Sequence, residues 1–182
     1  LFTAHNGQEP AQAVWTSAAW LNLNNTYAYG FTTLMDQVAS EYNRAGGKPL
    51  FHLETAYEHE HNSTSASLRQ QAYGTALWGA NLGHIFGNCP LWGLGPGTNY
   101  PSPFCSQVPD WRNELNSTGS VEFGLYASLI RSRKFWLLEP DHGHTVMTAG
   151  YGSGTTMATT ARASDGSSIL AYIPNRRQVT ID

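Results

Sequence analysis

Positive charge is scarce in this sequence. Its 182 residues carry 10 Lys+Arg against 13 Asp+Glu, a net charge of −3, and only Lys48 and Lys134 are lysines. Neutralising a phosphate backbone takes a basic patch, so no nucleic-acid partner is expected. No apolar run reaches the roughly 18–20 residues that span a bilayer, so no membrane partner is expected either. Charged residues make up 13% and apolar residues 41%, the opposite of a disordered composition. That is apolar material for one ordinary domain, or for one and part of a second. A Gly-x-Ser-x-Gly elbow is missing, which leaves a serine hydrolase without support. So is a glycine-rich phosphate loop after any strand, which argues against a nucleotide-binding doubly wound sheet. The run Glu58-His59-Glu60-His61 places its histidines two apart in an acidic loop, not four apart on a helix as catalytic zinc motifs do. Neither a metal nor another cofactor is expected.

Cysteine is nearly absent. Cys89 and Cys105 flank a stretch rich in Pro and Gly, and a disulfide closing it would stabilise by about 3 kcal/mol on the chain-entropy model. With few lysines, many Trp and Tyr, and Asn-x-Ser/Thr sequons at Asn24, Asn62 and Asn116, the expectation is a secreted glycoprotein. The chain opens Leu1-Phe2-Thr3 without an initiator Met or signal segment, and is read as a processed product or a piece of something longer.

What is present alternates between strand and helix patterns. Residues 20–29 read as a strand entering a loop. Phe31, Leu34, Met35, Val38 and Tyr42 form one stripe of an amphipathic helix stopped by Gly46-Gly47. The run 49–54 fits a buried parallel strand ending on Glu54. A helix follows over 65–81 with the small-residue face Leu68, Ala72, Ala76, Ala80, then a buried strand over 83–87. A third helix over 120–136 presents the stripe Val121, Leu125, Leu129. After Pro140 come short β-rich segments separated by turns. Right-handed β/α units on a parallel sheet account for the first part. Polar groups collect where strands end (Asn22 and Asn24, Glu54 and Glu58, His84 and Asn88), as in a (β/α)8 barrel. The expected fold is α/β: the second half of a TIM barrel over residues 1–139, then the start of an antiparallel β-sandwich over 140–182.

A carboxylate at the end of a buried strand needs a partner. Glu54 fits a nucleophile or base at a cleft rim, near a second carboxylate; a structural ion pair with Arg69 or a solvated loop is the alternative. The aromatics Trp15, Trp20, Tyr27, Tyr29, Tyr57, Trp78, Trp92 and Tyr100 suit sugar faces, or ordinary packing. His84, like His5 in His5-Asn6-Gly7, fits a satisfied core histidine or a site residue.

Three segments in order, Lys48-Pro49-Leu50-Phe51-His52-Leu53-Glu54-Thr55-Ala56-Tyr57-Glu58, Leu68-Arg69-Gln70-Gln71-Ala72-Tyr73 and Gly79-Ala80-Asn81-Leu82-Gly83-His84-Ile85-Phe86-Gly87-Asn88, resemble the apiosidase-like (β/α)8 glycoside hydrolases, glycoside hydrolase family 140. Arg131 to Trp136 and Glu139-Pro140-Asp141 resemble that family's passage into a C-terminal β-sandwich. The resemblance implies a glycoside hydrolase that cleaves polysaccharide side chains, of which this chain would be a fragment lacking the acid/base. It implies Glu54 as the nucleophile of a retaining mechanism, Glu58 as the second Glu of the motif, and Arg69, His84 and Asn88 lining the pocket. Asn24, Tyr57 and Trp92 complete the expected substrate contacts. Thr55 stands where the family usually has Pro, and Leu53 where it often has Gly, differences that bear on sugar specificity. The family's acid/base, an Asp on an earlier strand, has no counterpart here. The expected partners are therefore a carbohydrate and the N-terminal half of the barrel, on the same polypeptide or a separate chain. The alternative reading is a non-catalytic extracellular carbohydrate-binding or structural protein.

Overall fold

Two parallel strands organise the first part of the computed structural model, which describes residues 1–94, 105 and 110–182. The Pro/Gly-rich run from Gly95 to Pro103, with Tyr100, lies outside the described residues. A short helix, α1 (Ala11–Val14), precedes β1 (Asn24–Tyr27). The crossover helix α2 (Phe31–Tyr42) leads to β2 (Leu50–Glu54). Asn24 pairs with Leu50 and Thr26 with His52, and an irregularity after Thr26 brings Tyr27 opposite Glu54. The expected helical stripe buries Leu34, Met35 and Val38 against Ala28, Leu50, Trp78 and Ala80. Each such large side chain contributes about 1.5–3 kcal/mol by leaving water.

Extended segments flank this pair. On one side the amides of Asn22 and Leu23 donate to the Phe2 carbonyl, and Asn25 Nδ2 donates to Thr3 Oγ1 at 2.8 Å and to the Ala4 carbonyl at 2.7 Å. On the other, the expected strand over 83–87 runs parallel to β2 through a single bridge, His52 with His84, and a second parallel bridge, Glu58 with Asn88, lies just past both segments. It is too sparsely bonded to count as a strand. Among the described residues the parallel sheet has two strands and no barrel closes.

The second long helix, α3 (Ser65–Leu77), starts at a capping box between Thr64 and Ser67 and ends earlier than expected, at Trp78. α4 (Cys89–Gly93) follows, capped by Asn88 Oδ1, which accepts from Leu91 N. The third, α5 (Thr118–Arg131), buries Gly119, Tyr126 and Ile130, not the expected stripe: Val121, Leu125 and Leu129 are exposed. This helix has two apolar faces. Ala72 and Ala76 of α3 accept Tyr126 and Ile130, because small side chains let the two helices approach.

The remaining strands are β3 (Leu138–Pro140), β4 (Met147–Ala149), β5 (Thr159–Ala163), β6 (Ile169–Tyr172) and β7 (Thr180–Ile181). They form an antiparallel sheet β3-β5-β6 and an antiparallel pair β4-β7. Leu77 at the end of α3 packs on Leu138, Ala161 and Ala163, which seats this module on the α/β part. The expected boundary at 139/140 falls within β3. Cys89 and Cys105 form a disulfide, with Cα atoms 5.9 Å apart.

Candidate functional site

Glu54 ends β2, and its carboxylate, 13% exposed, accepts a hydrogen bond from His5 Nε2. His5 follows a segment hydrogen-bonded to the residues that lead into β1, and Tyr27 ends β1 itself, so this segment, β1 and β2 deliver side chains to one place. The rings of His5 and Tyr27 lie 5.5 Å apart, and Tyr27 Oη donates to Tyr29 Oη at 2.9 Å. Tyr57 supplies a further hydroxyl beside Glu54. Burial, then the Glu54 charge, pushes its phenol up, so it stays a protonated donor toward the carboxylate. The Tyr57 amide donates to the buried Glu60 at 3.0 Å, and its ring lies where any side chain on Gly87 would stand. Burial and its bond to Tyr27 likewise keep the Tyr29 phenol protonated. Of the expected site residues, the structure therefore brings Glu54 and Tyr57 together, and adds His5.

Glu58 occupies a different environment. It is 7% exposed and accepts from Asn88 Nδ2 at 3.0 Å, Ser117 Oγ at 2.5 Å and Gly119 N at 2.8 Å. Ser117 is the N-cap of α5, so the carboxylate sits on the positive end of that helix. A Cβ at position 119 would stand 2.7 Å from the Glu58 carboxyl carbon, so only glycine allows this approach. Asn88 Nδ2 also donates to Glu114 Oε2 at 2.9 Å, and His59 Nε2 donates to the same oxygen at 2.7 Å. Glu58, His59 and Glu114 each offer a ligand atom within 4.8 Å of the others and could hold one divalent cation. Their oxygens are already acceptors for protein donors. Sequence reasoning missed Glu114, which no local pattern marks, and Ser117, which a helix-start signal before α5 could have found.

Several expected contacts lie elsewhere. Arg69 does not reach Glu54; both Glu122 oxygens accept from its Nη1 at 2.6 Å. His84 packs at 4.3 Å on the ring of His52 and at 5.3 Å on Phe123 of α5, and its buried Nδ1 finds no partner among the described residues. Burial, with His52 alongside, holds it neutral. His52 is fully buried, with its Nδ1 3.3 Å from Thr75 Oγ1, and burial lowers it to about 4. Where His52 meets Glu54 it does so at the backbone of that residue, not at its carboxylate.

Asn24 serves neither as a substrate contact nor as a sequon. It is fully buried, accepts from the amides of Gln12 at 2.8 Å and Asn25 at 2.9 Å, and donates to Glu41 at 2.7 Å. Its side chain is spent tying β1 to α2. Asn62 and Asn116 are exposed. Trp92 stands exposed on α4.

The model of the apiosidase-like catalytic domain matches residues 1–137. The chain belongs to the apiosidase-like family. The match stops one residue before β3 opens the antiparallel module of this apiosidase-like chain. Its fold is similar to a crystal structure of a glycoside hydrolase family 5 from Bacteroides vulgatus ATCC 8482, with a TM-score of 0.80 and 19% identity. The likeness covers 96% of the apiosidase-like chain and 42% of the other, so this chain spans less than half the length of that one. No curated protein matches it. The described residues of the apiosidase-like chain contain no helix long and apolar enough to cross a membrane.

Proposed function

We propose that this chain is part of a secreted retaining glycoside hydrolase, of the kind that releases apiose-like side-chain sugars from a polysaccharide, with Glu54 as its nucleophile. One observation carries the reading: His5, Tyr27 and Tyr57 converge with Glu54 at the end of the parallel pair β1–β2, where barrel enzymes keep their reacting groups. Family membership supports the substrate class. Barrel segments outside residues 1–182 supply the acid/base, since a retaining site needs a second carboxyl about 5–5.5 Å from the first. That second group is not Glu58, which is engaged by α5.

The chemistry follows from these positions. A Glu54 oxygen attacks the anomeric carbon as the glycosidic C–O bond breaks, and the acid/base protonates the leaving oxygen. Water then cleaves the glycosyl ester, giving its proton back to the same group. His5 and Tyr57 hold the free carboxylate in place and release it as the bond to carbon forms. Residues 1–139 form the barrel portion in this reading, and 140–182 begin the β-module that braces α3.

The test uses the full-length protein and a 2-deoxy-2-fluoro apioside with an activated leaving group. Peptide mass spectrometry should find the glycosyl adduct on Glu54. An adduct on any other residue overturns the assignment.

A further inference from the structure

Glu60 is 4% exposed, in the turn that follows β2. Burying a carboxylate costs free energy that its hydrogen bonds must offset. Its Oε2 accepts from the Tyr57 amide at 3.0 Å, and the Glu60 amide donates back to the Tyr57 carbonyl at 3.0 Å. Ser63 Oγ donates to the same carbonyl at 2.5 Å. Both backbone polar groups of Tyr57 are therefore held from within the turn. Glu60 is itself fixed from outside it, by an antiparallel bridge to Cys105, the disulfide partner of Cys89.

The Tyr57 ring is confined as well, since its atoms fill the space that a Cβ on Gly87 would need. Backbone and ring are thus both fixed, and the phenol reaches Glu54. Burial, then the Glu54 and Glu60 charges, keeps it a protonated donor there.

We propose that Glu60 is a positioning residue: through the Tyr57 amide it aims the Tyr57 hydroxyl at Glu54 and so holds the nucleophile for attack. The proposal rests on the glycosidase reading and adds a carboxylate that acts without touching substrate. A misplacement of about 1 Å can cost up to about 10²-fold in rate. Glu54 keeps the His5 donor, so the expected loss is smaller.

The test is a double-mutant cycle in the full-length protein, with an aryl apioside as substrate. Glu60→Ala removes the acceptor, Glu60→Gln keeps an oxygen for the Tyr57 amide, and Tyr57→Phe removes the hydroxyl. Glu60→Ala should lower kcat about tenfold with KM within about twofold, and Glu60→Gln should recover kcat to within about threefold. Added to Tyr57→Phe, Glu60→Ala should cost at most about twofold more, because both act through one hydroxyl. Losses that multiply in the double variant overturn the proposal, as does a Glu60→Ala kcat within about twofold of the parent's. Recovery of Glu60→Ala by azide also overturns it, since Glu60 would then be a reacting carboxyl. Should Glu60→Ala not fold, Ser63→Ala enters the same cycle with an expected loss of about threefold, and multiplying losses or an unchanged kcat again overturn the proposal. Should the parent not cleave the apioside, the glycosidase reading fails, and crystal structures judge the positioning. A Tyr57 hydroxyl about 1 Å or more farther from Glu54 in either variant upholds it, and an unmoved hydroxyl overturns it.

Discussion

His5 and Glu54, 49 residues apart in the chain, meet through a hydrogen bond from imidazole Nε2 to carboxylate Oε2. Tyr57, three residues on, reaches Glu54 from its own segment, but His5 reaches it only because residues 2–4 and β2 both bond to the β1 region.

This pairing sets the first prediction. In the full-length protein, Glu54→Gln should keep substrate affinity and lower turnover by about 10³-fold or more, because the loss falls on the transition state. His5→Ala should lower kcat by roughly 10-fold, since it removes an orienting donor and not the nucleophile. Steady-state kinetics on an aryl apioside checks both. Near-normal turnover of Glu54→Gln would place the chemistry elsewhere.

Glu58 should report on folding before catalysis. Glu58→Ala leaves the amide of Asn88 and the N-terminus of α5 without their shared acceptor. A stability loss of about 2–3 kcal/mol is expected by urea titration. A loss below about 0.5 kcal/mol would mean that the carboxylate does not anchor α5.

Acid should weaken the fold through His52 and His84. Their unfolded values lie near 6.5, and burial lowers both in the folded state, His52 to about 4. The unfolded chain thus binds more protons between those values. Stability is full above pH 6.5 and falls as pH drops toward 4, by up to about 3 kcal/mol for His52. Urea titrations at pH 4.5, 5.5 and 7 should show this slope, and His52→Phe should flatten it. An unchanged slope in that variant would remove His52 from the account.

Residues 1–182 alone should expose a sticky face. Val121, Leu125 and Leu129 line one side of α5 at 41–64% exposure, and Ile85 is 44% exposed beside β2. Such a patch on an isolated chain favours association. Light scattering should show oligomers, and a hydrophobic dye should bind strongly. A monomer that melts cooperatively without dye binding would show that these faces need no cover.

Much of this was legible in the chain itself. The stripe Leu34, Met35, Val38 specified α2, the run Leu50–Glu54 specified a buried strand with a carboxylate at its end, and the spacing of Cys89 and Cys105 around a Pro/Gly-rich loop pointed to the disulfide that forms. These are local signals, because helix and strand periods are written into residues only a few positions apart. What the tertiary structure alone decided was which groups meet. For α5 the sequence offers two apolar faces, and only the neighbouring Ala72 and Ala76 select Tyr126 and Ile130 for burial. Asn24 and Glu58 end up as internal ties, and Arg69 and His84 turn toward α5, since a buried polar group takes whatever partner the packing provides. Glu54 was visible as a carboxylate at a strand end, with Tyr57 close by in the chain; that His5 holds it depends on a contact between segments 49 residues apart that no local pattern encodes.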